Sequence, residues 1–393
     1  MDFRDTPDEA VFRAELRTWL TNNVPTGTGT SEAAADTDLE SVRHNWNRTL
    51  HEAGYAGLTW PREYGGQGLA PTYQAIFHEE TAAADAPASN NYVGLNIAGP
   101  TIIAWGNDEQ KRRFLPPLLS GDEIWCQGFS EPGSGSDLAG ARTKAVLDGS
   151  SWIVNGQKVW SSFAHLARWC VLLVRTDPSA SKHAGLSYLL VDMHSPGVEV
   201  RPLRQLTGES EFNEIFFTDV RVPRESILGA PGDGWKVAMT TLEHERGTAS
   251  FALAAWLQRN LSRLIDLAHE RGRDGTIPAD DPLIRDAIAH EWVSYQALRF
   301  TNYRSMTTIL KTGSPGPESS VTKLAWSEAN QRLTKLARSI QGADGSLDGP
   351  DAVWDGFWQY EQLRSRGNTI EGGTSEILRN IIAERVLDLP RSR

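Results

Sequence analysis

The sequence predicts an α+β fold in three regions: an all-helical N-terminal domain over 1–122, a central antiparallel β domain over 123–230, and a C-terminal four-helix bundle over 231–393. Three observations carry this expectation. Apolar residues recur at helical spacing in the first and last regions. The middle region breaks into short β-rich runs punctuated by Pro, Gly and Asp, with no helix between them, which argues for a barrel or a sandwich. The length, 393 residues, exceeds one small core and fits two or three packed regions.

Taken in order, residues 8–20 place Val11, Leu16, Trp19 and Leu20 at helical spacing. A Gly-, Pro- and Thr-containing loop over 25–30 and an acidic lead precede a helix near 39–53. Residues 54–68 are rich in Gly and Pro and read as loop. Helical patterns resume at 72–84 and 107–119. In the middle region, Trp152-Ile153-Val154, then Asn155-Gly156, then 157–160 reads as a hairpin with a tight turn. Further short β runs cover 169–175, 186–192, 198–203, 214–217 and 220–222. The last region opens with one long periodic segment, 235–271, followed by helices over 282–311, 319–340 and 374–387. Residues 274–281 and Ser314-Pro315-Gly316-Pro317 read as polar connectors.

Composition narrows the function. The hydrophobic share is 39% and the charged share 23%, a globular balance. A net charge of −11 argues against a nucleic-acid partner. Cys126 and Cys170, the two cysteines, match no metal spacing and read as reduced core thiols of a cytoplasmic protein, with no metal site expected. The start, Met1-Asp2-Phe3-Arg4-Asp5, is charged and carries no apolar signal run. No stretch of about 18 apolar residues exists, so no membrane insertion is expected. The 14 tryptophans have no explanation at this level.

Several segments carry chemistry. Phe129-Ser130-Glu131-Pro132-Gly133-Ser134-Gly135-Ser136-Asp137 lies where helix gives way to β. Its glycines permit close backbone approach to a ligand, and its hydroxyls and N–H groups suit a flavin or a phosphate. Gly156-Gln157-Lys158-Val159-Trp160-Ser161-Ser162 follows it, and Glu243-His244-Glu245-Arg246-Gly247 lies within the long periodic segment. Gly372-Gly373-Thr374-Ser375-Glu376 opens the last helix, where small residues expose N–H groups as an anion seat or, more simply, where Thr374 or Ser375 caps the helix.

The first two segments together resemble the flavin-binding segments of the acyl-CoA dehydrogenase family, and the order all-helical, β-barrel, all-helical matches that fold over about residues 5–390. The resemblance implies FAD as cofactor and an acyl-CoA as substrate, with electrons passed to an electron-transfer flavoprotein. It implies that Phe129 and Ser130 line the isoalloxazine, that Ser136 lies near the flavin and the substrate's pantetheine arm, that Trp160 packs on the ring, and that Ser162 sits near the hydride-accepting N5. Gly373, Thr374 and Glu376 fall in the loop that meets the flavin, and the N–H of Gly372 holds the thioester carbonyl. The reaction needs a carboxylate to remove the α-proton, donors aimed at the developing enolate oxygen, and desolvation to raise the base's pKa. The family carries its base either in the long helix immediately before an arginine or in the loop before the last helix. Glu245 precedes Arg246, which lies beside the substrate. In the loop, Gly372 holds the usual base position and Glu371 is displaced by one residue. Glu245 is therefore the expected base and Glu371 the runner-up, the isovaleryl- and long-chain-like placement, similar to actinobacterial FadE-type enzymes.

Two departures concern the half of the FAD site shared between subunits. Arg271 matches the arginine that reaches the pyrophosphate, but Asp274-Gly275 stands where an aromatic precedes glycine. The Gln-x-x-Gly-Gly run appears as Ser339-Ile340-Gln341-Gly342-Ala343, which keeps only Gly342. The expected assembly is a homotetramer or homodimer, with a mixed tetramer containing a homologous subunit as the other possibility. Two other functional readings stand beside the dehydrogenase: a flavin monooxygenase on the same fold, and a non-catalytic subunit of a mixed tetramer. The small residues Gly247 and Ala249 leave room for a bulky acyl group.

Overall fold

The computed structural model describes residues 4–25, 39–245, 248–272 and 275–391, and of Glu245 the backbone alone. The expected loop over 25–30 lies, except for its first residue, outside the described residues, as do the first three residues of the N-terminal segment. In chain order the helices are α1 (Pro7–Asn23), α2 (Leu39–Glu52), α3 (Pro71–Ala83), α4 (Gly99–Trp105), α5 (Asp108–Ser120), α6 (Gly234–Glu245), α7 (Ala249–His269), α8 (Pro282–Thr312), α9 (Ser319–Ile340), α10 (Phe357–Asn368) and α11 (Ser375–Arg385). The strands are β1 (Trp125–Gly128), β2 (Lys144–Asp148), β3 (Ser151–Ser162), β4 (Trp169–Arg175), β5 (Leu186–Asp192), β6 (Val198–Leu203), β7 (Phe212–Pro223) and β8 (Ile227–Leu228). They form two compact units, each drawing on separate stretches of chain: Glu40–Leu69 with Ala88–Glu245, and Met1–Leu39 with Ala70–Pro87 and Arg246–Arg393.

The first of these, the sheet unit, is built on one eight-stranded sheet, ordered β6-β7-β3-β2-β4-β5-β8 with β1 beside β4. The expected antiparallel barrel is corrected here. The sheet runs open from β6 to β8 and is mixed, because β1 pairs parallel with β4. The parallel pair follows from chain path: β1 leaves α5 and the β2–β3 hairpin intervenes before β4, a crossover long enough to return the chain in the same direction. The expected hairpin at Asn155-Gly156 is corrected as well. The turn lies between β2 and β3, Asp148 pairing with Ser151, and Asn155-Gly156 sits inside the continuous β3 at a register shift against β7. Asn155 fills the irregularity: its amide donates to the Asp219 carboxylate and its carbonyl accepts from the Asp219 N–H, both at 3.0 Å. Alternation along β3, β4 and β5 buries Val154, Cys170, Leu172, Leu189 and Val191 on one face, and Val171, Leu173, Tyr188 and Leu190 on the other. The second face packs against α4, α5 and α6 through Ile102, Leu115, Leu118, Val237 and Ala238. Cys126 and Cys170 are free, buried, and directly opposite one another on β1 and β4. Four of the tryptophans have a clear packing role here: Trp125 stacks on Trp169, Phe114 meets both edge-on, and Trp60 and Trp152 are buried. A π-helical turn at Gly94–Ala98 running into α4 has no counterpart in the sequence expectation.

The helical unit holds the bundle. The single segment expected over 235–271 is two helices, α6 closing the sheet unit and α7 opening this one. Leu257, Leu261 and Leu264 of α7, Tyr295 and Leu298 of α8, Trp326 and Leu333 of α9, and Phe357 and Trp358 of α10 form its core. Thus α10 supplies the fourth side of that core, where α11 had been expected, and α11 packs on α9. The missed α10 has a physical reason. Its buried face includes Gln359, Glu361, Ser365 and Asn368, so no apolar period marks it. Helices α1 and α3 are joined by Arg13, which bonds Asp5, Glu79 and Glu80, and by Arg17, which bonds Glu80. Asp85, just beyond α3, pairs with Arg259 and Arg263 of α7. Among the described residues no helix is long and apolar enough to cross a membrane.

Candidate functional site

The sheet unit carries the 129–137 segment and the end of β3. Phe129 follows β1 and is buried edge-on against Tyr188, with centroids 5.8 Å apart. The turn after it is closed by reciprocal N–H···O=C bonds between Glu131 and Ser134, each 3.0 Å. Beneath it lies a buried ion pair. The fully buried Lys158 ammonium donates to the Glu131 carboxylate and to the Phe129 carbonyl, both at 2.9 Å. Glu131 also accepts the N–H groups of Arg142 and Thr143. Burial alone would push the Glu131 carboxyl up, but the Lys158 charge and these donors hold it below the ordinary range. Burial draws the Lys158 ammonium down, against the pull of Glu131.

Above the pair the surface is open. A Cβ at Gly133 or Gly135 would meet nothing within 4 Å, so the protein's own packing does not require either glycine. Ser136 is exposed. A register shift between Lys158 and Ser161 puts Trp160 at φ 62° and leaves its indole 60% exposed, supported edge-on by Phe212. The indole so placed presents an open, flat aromatic face on which a ring can stack. Ser162 is half-buried beside it, and the buried Ser161 hydroxyl has no partner among the described residues. A flat aromatic ligand fits these features: an uncovered indole, an orphaned hydroxyl and glycines facing empty space. Glu245 is the last residue of α6, with its side chain outside the described residues, and Arg246 and Gly247 lie outside them entirely.

The helical unit carries the loop before α11. Gly372 and Gly373 both take left-handed conformations, φ 60° and 98°, which their residue type permits. Side chains from α9 fix the loop. Lys323 donates to the carbonyls of Asn368 and Gly373, at 2.6 and 2.8 Å. Ser327 donates to the Asn368 carbonyl, Asn330 to the Asn368 side chain, and Gln331 to the Ser365 carbonyl and the Thr369 hydroxyl. Thr374 caps α11 by accepting from Ile377 N–H. Exposed Glu376 in the first turn is held below its ordinary pKa by its own backbone N–H and the Thr374 hydroxyl. The Gly372 N–H has no partner among the described residues. Glu371 does have partners: both nitrogens of Arg364 reach its carboxylate at 3.2 Å, and Asn368 donates to it at 2.9 Å.

Arg271 lines a cavity of about 540 Å³ together with Thr276, Asp280, Asp281, Ser339 and Ile340. Its guanidinium donates to the Gly275 carbonyl. Asp280 and Asp281 make the cavity wall acidic, which disfavours a diphosphate there, and Asp281 is also the cap of α8, accepting the Leu283 N–H. Gly342, at φ 57°, is exposed. Sequence reasoning singled out neither Lys158 nor Lys323. For Lys158 a signal was present: it shares the buried alternation of Trp152 and Val154 along β3.

Comparison with known proteins adds to this geometry. Family models described as acyl-CoA dehydrogenase N-terminal, middle and C-terminal domains match residues 6–122, 126–220 and 232–387. The acyl-CoA dehydrogenase IpdE1 of Mycobacterium tuberculosis is 45% identical over 388 residues, covering 98% of each chain. Among solved structures, the Tcur3481-Tcur3483 steroid ACAD is 31% identical with a TM-score of 0.86, and the ChsE4-ChsE5 complex of Mycobacterium tuberculosis is 32% identical with a TM-score of 0.85. Each covers 100% of both chains.

Proposed function

Since the chain belongs to the acyl-CoA dehydrogenase family and is a FAD-dependent oxidoreductase, we propose that it oxidises a bulky, ring-containing acyl-CoA to the trans-2-enoyl-CoA, with Glu245 as the base. The FAD, when bound, supplies the two-electron acceptor. Phe129, Ser130, Trp160 and Ser162 would hold its isoalloxazine, with Ser136 at its edge, beside the pantetheine. Gly373, Thr374 and Glu376 belong to the second loop that meets it. The Gly372 N–H binds the thioester carbonyl and stabilises the negative charge that grows there as the α-proton leaves. Glu245 accepts that proton, and Arg246, the next residue in the sequence, is the proposed substrate contact. An electron-transfer flavoprotein is the proposed final acceptor. A named acyl-CoA dehydrogenase at 45% identity weighs for dehydrogenation over the oxygen-using alternative.

One observation carries the choice of base. Glu371, the rival carboxylate, is bound by Arg364 and Asn368. With both oxygens engaged by a guanidinium fork and an amide, that carboxylate is not free to turn toward a substrate proton. Substrate size rests on Gly247 and Ala249 and on the likeness to a solved steroid ACAD. The test is anaerobic mixing of the flavin-loaded protein with acyl-CoAs of graded bulk while the flavin absorbance is followed. Ring-bearing thioesters should bleach the flavin, and Glu245→Gln should slow that bleaching by at least about 100-fold while Glu371→Gln does not. Bleaching confined to short straight chains would overturn the substrate reading. Unchanged bleaching in Glu245→Gln would overturn the base.

The Arg271 cavity favours a mixed assembly. With Asp280 and Asp281 at its wall, a homologous subunit is the better source of the diphosphate contacts. The two solved structures named above are of paired, differently named chains.

A further inference from the structure

The buried pair beneath the 129–137 turn is far more elaborate than a surface turn requires. Taking a lysine and a glutamate out of water carries a desolvation penalty that their mutual attraction must first offset. Apolar residues of like volume would serve packing at least as well. Something other than packing therefore sets the pair's value, and its hydrogen bonds indicate what. Lys158 Nζ spends one donor on Glu131 and another on the Phe129 carbonyl. Glu131 is itself anchored by the Arg142 and Thr143 N–H groups, so the ammonium has one fixed position.

The consequence passes through a planar peptide. The chain has no cis peptide bonds among its described residues. In a trans peptide the carbonyl and the following N–H point in opposite directions. With the Phe129 carbonyl drawn inward to Lys158, the Ser130 N–H is turned outward, and it has no partner among the described residues. On its other side, Ser130 is held by its carbonyl, which accepts the Val159 N–H at 2.9 Å. Val159 lies between Lys158 and the exposed Trp160, so the residue that aims the donor and the residue that offers the aromatic face share one short stretch of β3. A cation on the carbonyl also polarises the peptide and strengthens the N–H as a donor.

We propose that Lys158, held in place by Glu131, is a positioning residue for the flavin: it turns the Phe129–Ser130 peptide so that the Ser130 N–H is presented to the isoalloxazine edge. This rests on the reading that Phe129, Ser130 and Trp160 form the flavin seat. Lys158 touches neither flavin nor substrate and acts only through the peptide.

The test compares Glu131→Gln, the double variant Lys158→Met/Glu131→Gln, and Trp160→Ala, each freed of flavin and titrated with FAD. The dissociation constant is read from flavin fluorescence, and folding from the urea midpoint. Glu131→Gln leaves a neutral acceptor for Lys158 Nζ and keeps the lysine amine beside the Phe129 carbonyl, and the double variant removes that amine without leaving a buried charge unpaired. The double variant should fold and bind FAD about 10- to 100-fold more weakly than Glu131→Gln, with an altered visible spectrum for the flavin it does bind. A merely structural role predicts FAD affinity that follows the urea midpoint, so a stable double variant binding as tightly as Glu131→Gln overturns the proposal. Hydrogen exchange of the peptide containing Ser130 in the unsubstituted protein gives a second measurement that needs no variant. Its amide should exchange fast without FAD and slowly with it, and equal rates overturn the proposal. Trp160→Ala separates the two layers of the argument. If it weakens FAD binding while the double variant does not, the seat stands and the positioning role falls. If neither weakens binding, the seat itself is misplaced.

Discussion

His78, half-buried on α3 with Gln74 Nε2 3.2 Å from its ring nitrogen, is the clearest single titrating residue outside the site. Desolvation pulls its imidazole down to about 4. The unfolded chain would bind that proton near pH 6.5. Between these values the unfolded state is charged at this position and the folded state is not, so stability is complete above pH 6.5 and falls as the pH drops toward 4. In His78→Gln the urea midpoint should depend less on pH in that window, by up to about 1.4 kcal/mol per pH unit, and should match the unsubstituted protein's slope above it. The site residues show how far single positions can be read in advance. Trp160 and the Gly372-Gly373 pair could be singled out because they fall in segments that resemble a known flavin site, not because their types are unusual for a strand or a helix start. The engagement of Glu371 could not be foreseen, since Arg364 and Asn368 reach it only once α10 has formed.

At the scale of elements, the strand β3 explains why a correct composition reading gave a wrong turn. Asn-Gly is a strong hairpin signal. Here the same two residues serve a bulge, since Asn155 can pair with Asp219 and Gly156 can lie against the neighbouring strand. A Cβ at Gly156 would stand 2.6 Å from the Thr143 hydroxyl and 2.7 Å from its Cα, at φ 153°. Gly156→Ala should therefore cost about 1–3 kcal/mol in denaturant unfolding, with the loss traced to the β2–β3 pair. An effect within about 0.5 kcal/mol would show that the bulge is plastic. Helices with one apolar stripe, such as α7 and α9, were legible from their period. The helix α10 was not, because it buries amides and a carboxylate, and the split between α6 and α7 falls in the polar stretch 243–248, where Gly247 was the available signal.

For the whole molecule, the three-region order of helix, sheet and helix was legible, because each region imposes its own period on the sequence. The open, mixed sheet was not, because which strands pair depends on chain path and not on pattern. The assembly is the matter to test at this scale. Produced alone, the chain should hold clearly less than one FAD per chain. Co-produced with a homologous subunit, it should co-purify with that subunit and show raised flavin content, measured by absorbance against protein mass. Full FAD occupancy in the isolated chain would favour the homo-oligomer. The division into two units has a further consequence. The polypeptide passes between them four times, and α3 finds its partner α7 only far downstream. On a ribosome adding about 5–20 residues per second, the apolar side of α3 waits on the order of ten to thirty seconds before α7 emerges. During that interval the apolar side of α3 is open to non-native contacts, and production at lower temperature or with added holdase should raise the soluble yield.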